Sequence, residues 1–149
     1  INTYLTGLIG DDSDWLAGLS NACALLNQTL SDINWVGFYL WKGNELVLGP
    51  FQGKPACIRI GPGKGVCGTA AKTGEVQVVE DVDLFPGHIA CDSASKSEIV
   101  IPIIKNEKLI GVLDIDSPVK ARFDMLDAKG LSEFVNILNR YLEWPDYFI

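Results

Sequence analysis

The chain has 149 residues, 48% of them hydrophobic, and its 12 basic and 19 acidic side chains give a net charge of −7. That length suits one domain burying roughly two-thirds of its unfolded surface, and a mean hydropathy of +0.19 indicates a well-stocked core. The acidic balance argues against nucleic acid as a partner, and no apolar run reaches the length of a membrane span. No secretory signal opens the chain, and its start on Ile1 rather than Met leads us to expect a preceding segment. The expectation is a soluble, cytoplasmic single domain over 1–149 with no membrane partner.

From Ser13 to Leu30 the apolar residues Trp15, Leu16, Leu19, Cys23, Leu26 and Leu30 recur at helical steps and line one face. Cys23 on that face reads as a small core hydrophobe. Trp35 to Trp41 alternates as a strand, turns at Lys42-Gly43-Asn44-Glu45 and returns through Leu46-Val47-Leu48. A short strand over Cys57–Ile60 enters a glycine-rich bend, followed by a short helix over Val66–Lys72 that Gly74 ends. Val76–Glu80 reads as another strand, and Asp81–Ser97 as a long irregular segment of the kind that often carries function. Glu98–Lys105 and Lys108–Asp116 form a hairpin around Asn106-Glu107. Asp124 caps a last helix with the stripe Leu131, Phe134, Val135, Leu138, Tyr141 and Leu142. Consecutive hairpins imply an α+β domain, with a central antiparallel sheet and the N- and C-terminal helices packed on one face.

Four cysteines in so apolar a chain fit a secreted disulfide framework poorly. There is no Cys-x-x-Cys pair, His88 is the only histidine, and the spacing fits no standard zinc site. Gly63-Lys64-Gly65-Val66-Cys67-Gly68 is a literal G-x-G-x-x-G, but hairpin topology denies it the βαβ context of a dinucleotide site. It reads instead as a tight bend carrying Cys67 to a helix start. Cys91 sits among small residues in Phe85-Pro86-Gly87-His88-Ile89-Ala90-Cys91-Asp92, where a substrate can approach it. His88 can favour its thiolate if the loop folds back; the alternative is an inert cysteine beside a surface histidine.

Asp114 and Asp116, two apart in a strand, point to one face with Ile110 and Val112, while Leu113 and Ile115 point to the other. Emergence into solvent at Ser117-Pro118 accounts for Asp116 but poorly for Asp114. Crowded carboxylates raise the pKa of at least one member, and Glu98 on the neighbouring strand can join them. Thiols with such acids suggest redox chemistry on a small cationic or polar substrate.

These segments resemble the free methionine-(R)-sulfoxide reductases, single GAF-fold enzymes. The resemblance is carried by Trp35-Val36-Gly37-Phe38-Tyr39, Gly49-Pro50-Phe51-Gln52-Gly53, Cys57, the Gly63–Gly68 bend, the Phe85–Asp92 loop, Ser97-Glu98-Ile99-Val100 and Gly111–Ser117. It implies that Cys91 attacks the sulfoxide and Cys57 resolves the sulfenic acid as a disulfide, with Cys67 a third active-site thiol. It further implies that Glu98, Asp114 and Asp116 bind the substrate ammonium and polarise the sulfoxide, while Trp35 and Tyr39 wall the methylsulfinyl group. Recycling by thioredoxin, a homodimer and the absence of any metal or cofactor are also implied. The competing expectations are a GAF module that binds a small ligand without turnover and a redox-sensing scaffold.

Overall fold

The computed structural model describes residues 1–88 and 93–145. Its elements are α1 (Asn2–Ile9), α2 (Trp15–Thr29), β1 (Trp35–Lys42), β2 (Glu45–Gln52), β3 (Arg59–Ile60), α3 (Gly65–Thr73), β4 (Gln77–Val79), β5 (Ser97–Lys105), β6 (Lys108–Ser117) and α4 (Met125–Tyr141). The strands pair antiparallel in one sheet ordered β3-β2-β1-β6-β5-β4. The α+β reading therefore holds. No helix among the described residues is long and apolar enough to cross a membrane.

Local chemistry sets the elements. Asp14 accepts from the Ala17 N–H at 2.9 Å to start α2. Asp124 and Asp127 form a reciprocal capping box at the start of α4. Asn106 and Glu107 both hold positive φ, 53° and 66°, the mirror-image turn whose twist matches paired strands. The predicted hairpin over β5 and β6 is thus closed by its two expected residues.

Strand alternation divides the sheet into two faces. Val36, Phe38, Leu40, Ile99, Ile101, Leu113 and Ile115 face α1, α2 and α4 and form the larger core. Trp35, Tyr39, Val100 and Val112 face the other way, with Val66, Cys67 and Ala70 of α3 against them. The terminal helices share one face as expected, and α3 packs on the opposite one, together with Val82 and Phe85.

Three details of the sequence reading change. Leu16 is 50% exposed, because α2 turns its small residues Gly18 and Ala22 inward, where a Cβ at Gly18 would lie 2.5 Å from Leu142 Cδ2. Tyr141, the last residue of α4, is exposed, whereas Leu142 of the same expected stripe is buried just beyond the helix. Ile110 joins the helix-side core rather than the face of Asp114. Ile103 pairs with Gly111 but Ile104 with Leu109, so Ile110 is the extra residue of a β-bulge, which resets the alternation.

Candidate active site

Register builds the site. Glu98 on β5 lies opposite Asp116 on β6, which lies opposite Trp35 on β1. The next row on the same face is Val100, Asp114 and Gly37, and the row after it Val112 and Tyr39. Three acids and two aromatic rings thus share one patch of the α3-side surface. Glu98 is 6% and Asp114 5% exposed, so the sheet does not simply emerge into solvent at Asp114.

Glycines let the aromatic wall close. Trp35 stacks on Phe51 with ring centroids 5.3 Å apart and on Tyr39 at 6.0 Å. A Cβ at Gly37 would lie 2.7 Å from Trp35 Cη2, and one at Gly53 2.5 Å from Trp35 Cδ1. The Trp35 indole N–H donates to the Lys54 carbonyl at 3.1 Å, and the Tyr39 hydroxyl donates to the Cys57 carbonyl at 2.8 Å. These two bonds tie the 53–57 segment to the rim of the wall.

The glycine-rich bend has the role read from its topology. The Gly63 N–H donates to the Gly68 carbonyl at 2.8 Å. A Cβ at Gly68 would stand 2.5 Å from the Gly61 carbonyl oxygen. Close backbone approach seats the start of α3 and delivers Cys67 at its third position, against the acids. Among the described residues every strand pair is antiparallel and α3 is only nine residues long, so the bend lacks the βαβ context of a dinucleotide site.

Cys67 Sγ, a Glu98 carboxylate oxygen and an Asp114 carboxylate oxygen all lie within 4.8 Å of one another. Burial raises the pKa of Asp114 well above the usual carboxylate range, and the neighbouring Glu98 charge adds to it. Glu98 is raised by burial first and the Asp116 charge second, although His88 Nε2 stands 3.7 Å from its Oε1. The Cys67 thiol is also pushed well up, by burial and then by Asp114, Glu98 and Asp116. Tyr39 moves up through burial and Asp114. Among the described residues Asp114 Oδ1 is buried without a hydrogen-bond partner. The patch therefore favours protonated acids, or ionised ones that receive an outside cation.

Trp35, Tyr39, Cys67, Glu98, Asp114 and Asp116 all line one cleft, together with His88, Ser95, Lys54 and Lys64. Cys57 is disulfide-bonded and packs beside the same cluster. Cys23 and Cys67 are free. Cys23 belongs to the opposite core, as read: its thiol donates to the Pro50 carbonyl at 3.2 Å, and burial raises its pKa to about 12. Cys91 lies outside the described residues. His88, considered above only as a neighbour of Cys91, sits on Glu98, a pairing that no local spacing announces. The Asn34 amide, which donates to Ser95 Oγ at 3.0 Å, was also not anticipated.

Comparison with known proteins places this geometry. Residues 14–142 match the GAF domain family. The free methionine-R-sulfoxide reductase of Escherichia coli is 52% identical over 147 residues, covering 99% of this chain and 89% of that protein. The structure of fRMsr of Staphylococcus aureus in its reduced form superposes with a TM-score of 0.93 at 56% identity, covering 95% of this chain and 92% of the other. That of free methionine-R-sulfoxide reductase from Neisseria meningitidis in complex with its substrate gives 0.92 at 46% identity, covering 95% and 85%. The chain belongs to the free methionine-(R)-sulfoxide reductases, a family of enzymes on the GAF fold.

Proposed function

We propose that this chain reduces free L-methionine (R)-sulfoxide to methionine in the cleft between β1, β5, β6 and α3. The observation that carries the reading is the buried acid cluster beside an aromatic wall: Glu98 and Asp114 need protons or a cation, and Trp35 and Tyr39 offer an apolar surface. A substrate with an ammonium at one end and a methylsulfinyl group at the other answers both needs.

In this reading the Cys91 sulfur attacks the sulfoxide sulfur while a protonated carboxyl of the cluster donates to its oxygen. Oxygen passes to Cys91, whose sulfur loses two electrons as the substrate sulfur gains them. Methionine leaves, and Cys91 is a sulfenic acid. The Cys57 thiol condenses with it, releasing water and forming a disulfide, which thioredoxin reduces by thiol exchange. The disulfide-bonded state of Cys57 suits the oxidised end of this cycle. A peptide offers a neutral amide where the free amino acid offers an ammonium, so the acids would lose their charged partner at a cost of about 1–3 kcal/mol or more. We assign the same acids both tasks, selection of the free amino acid and proton delivery.

The test is product formation from each methionine sulfoxide epimer with a dithiol, read as free methionine. The R epimer should turn over, and absence of product from it rejects the reading in favour of a ligand-binding module. Cys91→Ser should abolish turnover. Cys57→Ser should release methionine in a single turnover but fail to recycle with thioredoxin.

A further inference from the structure

The geometry points to a second occupant of the cleft: a borderline-soft divalent cation, Zn²⁺ or Cd²⁺, held by Cys67 Sγ, Glu98 and Asp114. Three observations support it independently of the reductase chemistry. The donor atoms come from three elements, α3, β5 and β6, yet lie within 4.8 Å of one another. One is a thiol, which selects soft and borderline metals over Mg²⁺ or Ca²⁺. Asp114 Oδ1 is buried and without a hydrogen-bond partner among the described residues, in a side chain that lines the cleft.

The reach is favourable. A tetrahedral zinc with bonds of about 2.0 Å to oxygen and 2.3 Å to sulfur separates its ligands by roughly 3.5 Å. Side-chain torsions need to draw these donors together by only about an ångström. His88 Nε2, 3.7 Å from Glu98 Oε1, can orient that carboxylate from outside, the supporting role common beside metal ligands. Three protein ligands leave one coordination position open to the cleft. Binding exchanges protons for the cation: the Cys67 thiol and any protonated carboxyl release theirs to solvent. Cys67 thereby acquires a role that attack and resolution leave without one.

Such a cation would stand where we place the substrate ammonium. This last step rests on the proposed function; the cation site itself does not. The test is titration with Cd²⁺ alone in a Cys57→Ser/Cys91→Ser background, so that neither of those thiols contributes. An ultraviolet thiolate-to-cadmium charge-transfer band should saturate at one equivalent per chain and survive Cys23→Ser. Adding Cys67→Ser should remove it, and Asp114→Asn or Glu98→Gln should weaken binding roughly tenfold or more. Absence of the band, its persistence without Cys67, or undiminished binding in Asp114→Asn overturns the site. Should Cys67→Ser misfold by circular dichroism, the two carboxylate variants decide. Methionine release by pre-reduced, desalted native enzyme should be slowed by Zn²⁺ and restored by excess sulfoxide. Full release at saturating Zn²⁺ overturns the shared position, while a native enzyme inert without metal indicts the proposed function instead.

Discussion

Gly37→Ala isolates the packing of the aromatic wall, because two opposing effects of known size act on it. Gly37 has no positive φ, so alanine suits its backbone and would by itself stabilise by about 0.4–1 kcal/mol through the unfolded chain. Against this, the new methyl would stand 2.7 Å from Trp35 Cη2 and 3.0 Å from Phe51 Cα, and would also press on Phe51 Cβ. Carbon pairs prefer about 3.5–4.0 Å, so the overlap approaches an ångström. Trp35 cannot simply swing away, since its ring is stacked on Phe51 and its N–H is held by the Lys54 carbonyl. Phe51 presents backbone from a paired strand. Overpacking of this kind costs about 1–3 kcal/mol and outweighs the gain from the unfolded state. A net loss of about 1–2 kcal/mol should lower Tm by roughly 2–8 °C. The wall should also shift by up to an ångström, enough to lower kcat/KM by as much as about a hundredfold. Gly130→Ala on the exposed side of α4, where a Cβ meets nothing within 4 Å, should instead stabilise by about 0.5–1 kcal/mol. Urea unfolding and steady-state methionine release read both variants. A Gly37→Ala enzyme as stable and active as the parent refutes the argument.

Asp114→Asn should change the pH dependence of stability. The folded-state pKa of Asp114 is raised, so its contribution is fully present below the unfolded carboxylate pKa and is lost as pH rises through the folded value. The variant should therefore gain on the parent in urea midpoint with rising pH; a difference independent of pH counts against the buried acid. Ser97→Ala should cost about 1–2 kcal/mol, because the hydroxyl donates to the Val119 carbonyl at 2.6 Å and accepts from the Arg122 N–H at 3.3 Å; a midpoint equal to the parent's contradicts this. Trp35→Phe keeps a ring in place but removes the indole N–H that donates to the Lys54 carbonyl. With one hydrogen bond worth about 1 kcal/mol, kcat/KM should fall about fivefold, and an unchanged value would show that the 53–57 segment is held otherwise.

The shared face of the acids was legible because its grammar is strand parity. Asp114 and Asp116 share a face by spacing alone, and Glu98 meets Asp116 once the Asn106-Glu107 turn fixes the register. Ile110 escaped for the same reason, since a bulge changes parity without leaving a residue type that reveals it. Leu16 was misplaced because apolar periodicity records where large side chains recur, whereas α2 approaches Leu142 through Gly18. The contact of His88 with Glu98 joins an irregular segment to a strand, and short-range spacing holds no information on that. The short α1, whose Leu5 and Ile9 are buried, offers too few turns for a periodic signal.

The two faces of the sheet also bear on how such a protein can change. Alternate residues of the same strands serve separate ends: Val36, Phe38, Ile99, Leu113 and Ile115 hold the helices, while Trp35, Tyr39, Glu98, Asp114 and Asp116 look into the cleft. Mutation can therefore alter the acids of β5 and β6 without touching the side chains that hold the helices. Inherited variation in this architecture should accordingly separate into two alphabets, one conservative and apolar, the other free to follow whatever the cleft is asked to hold.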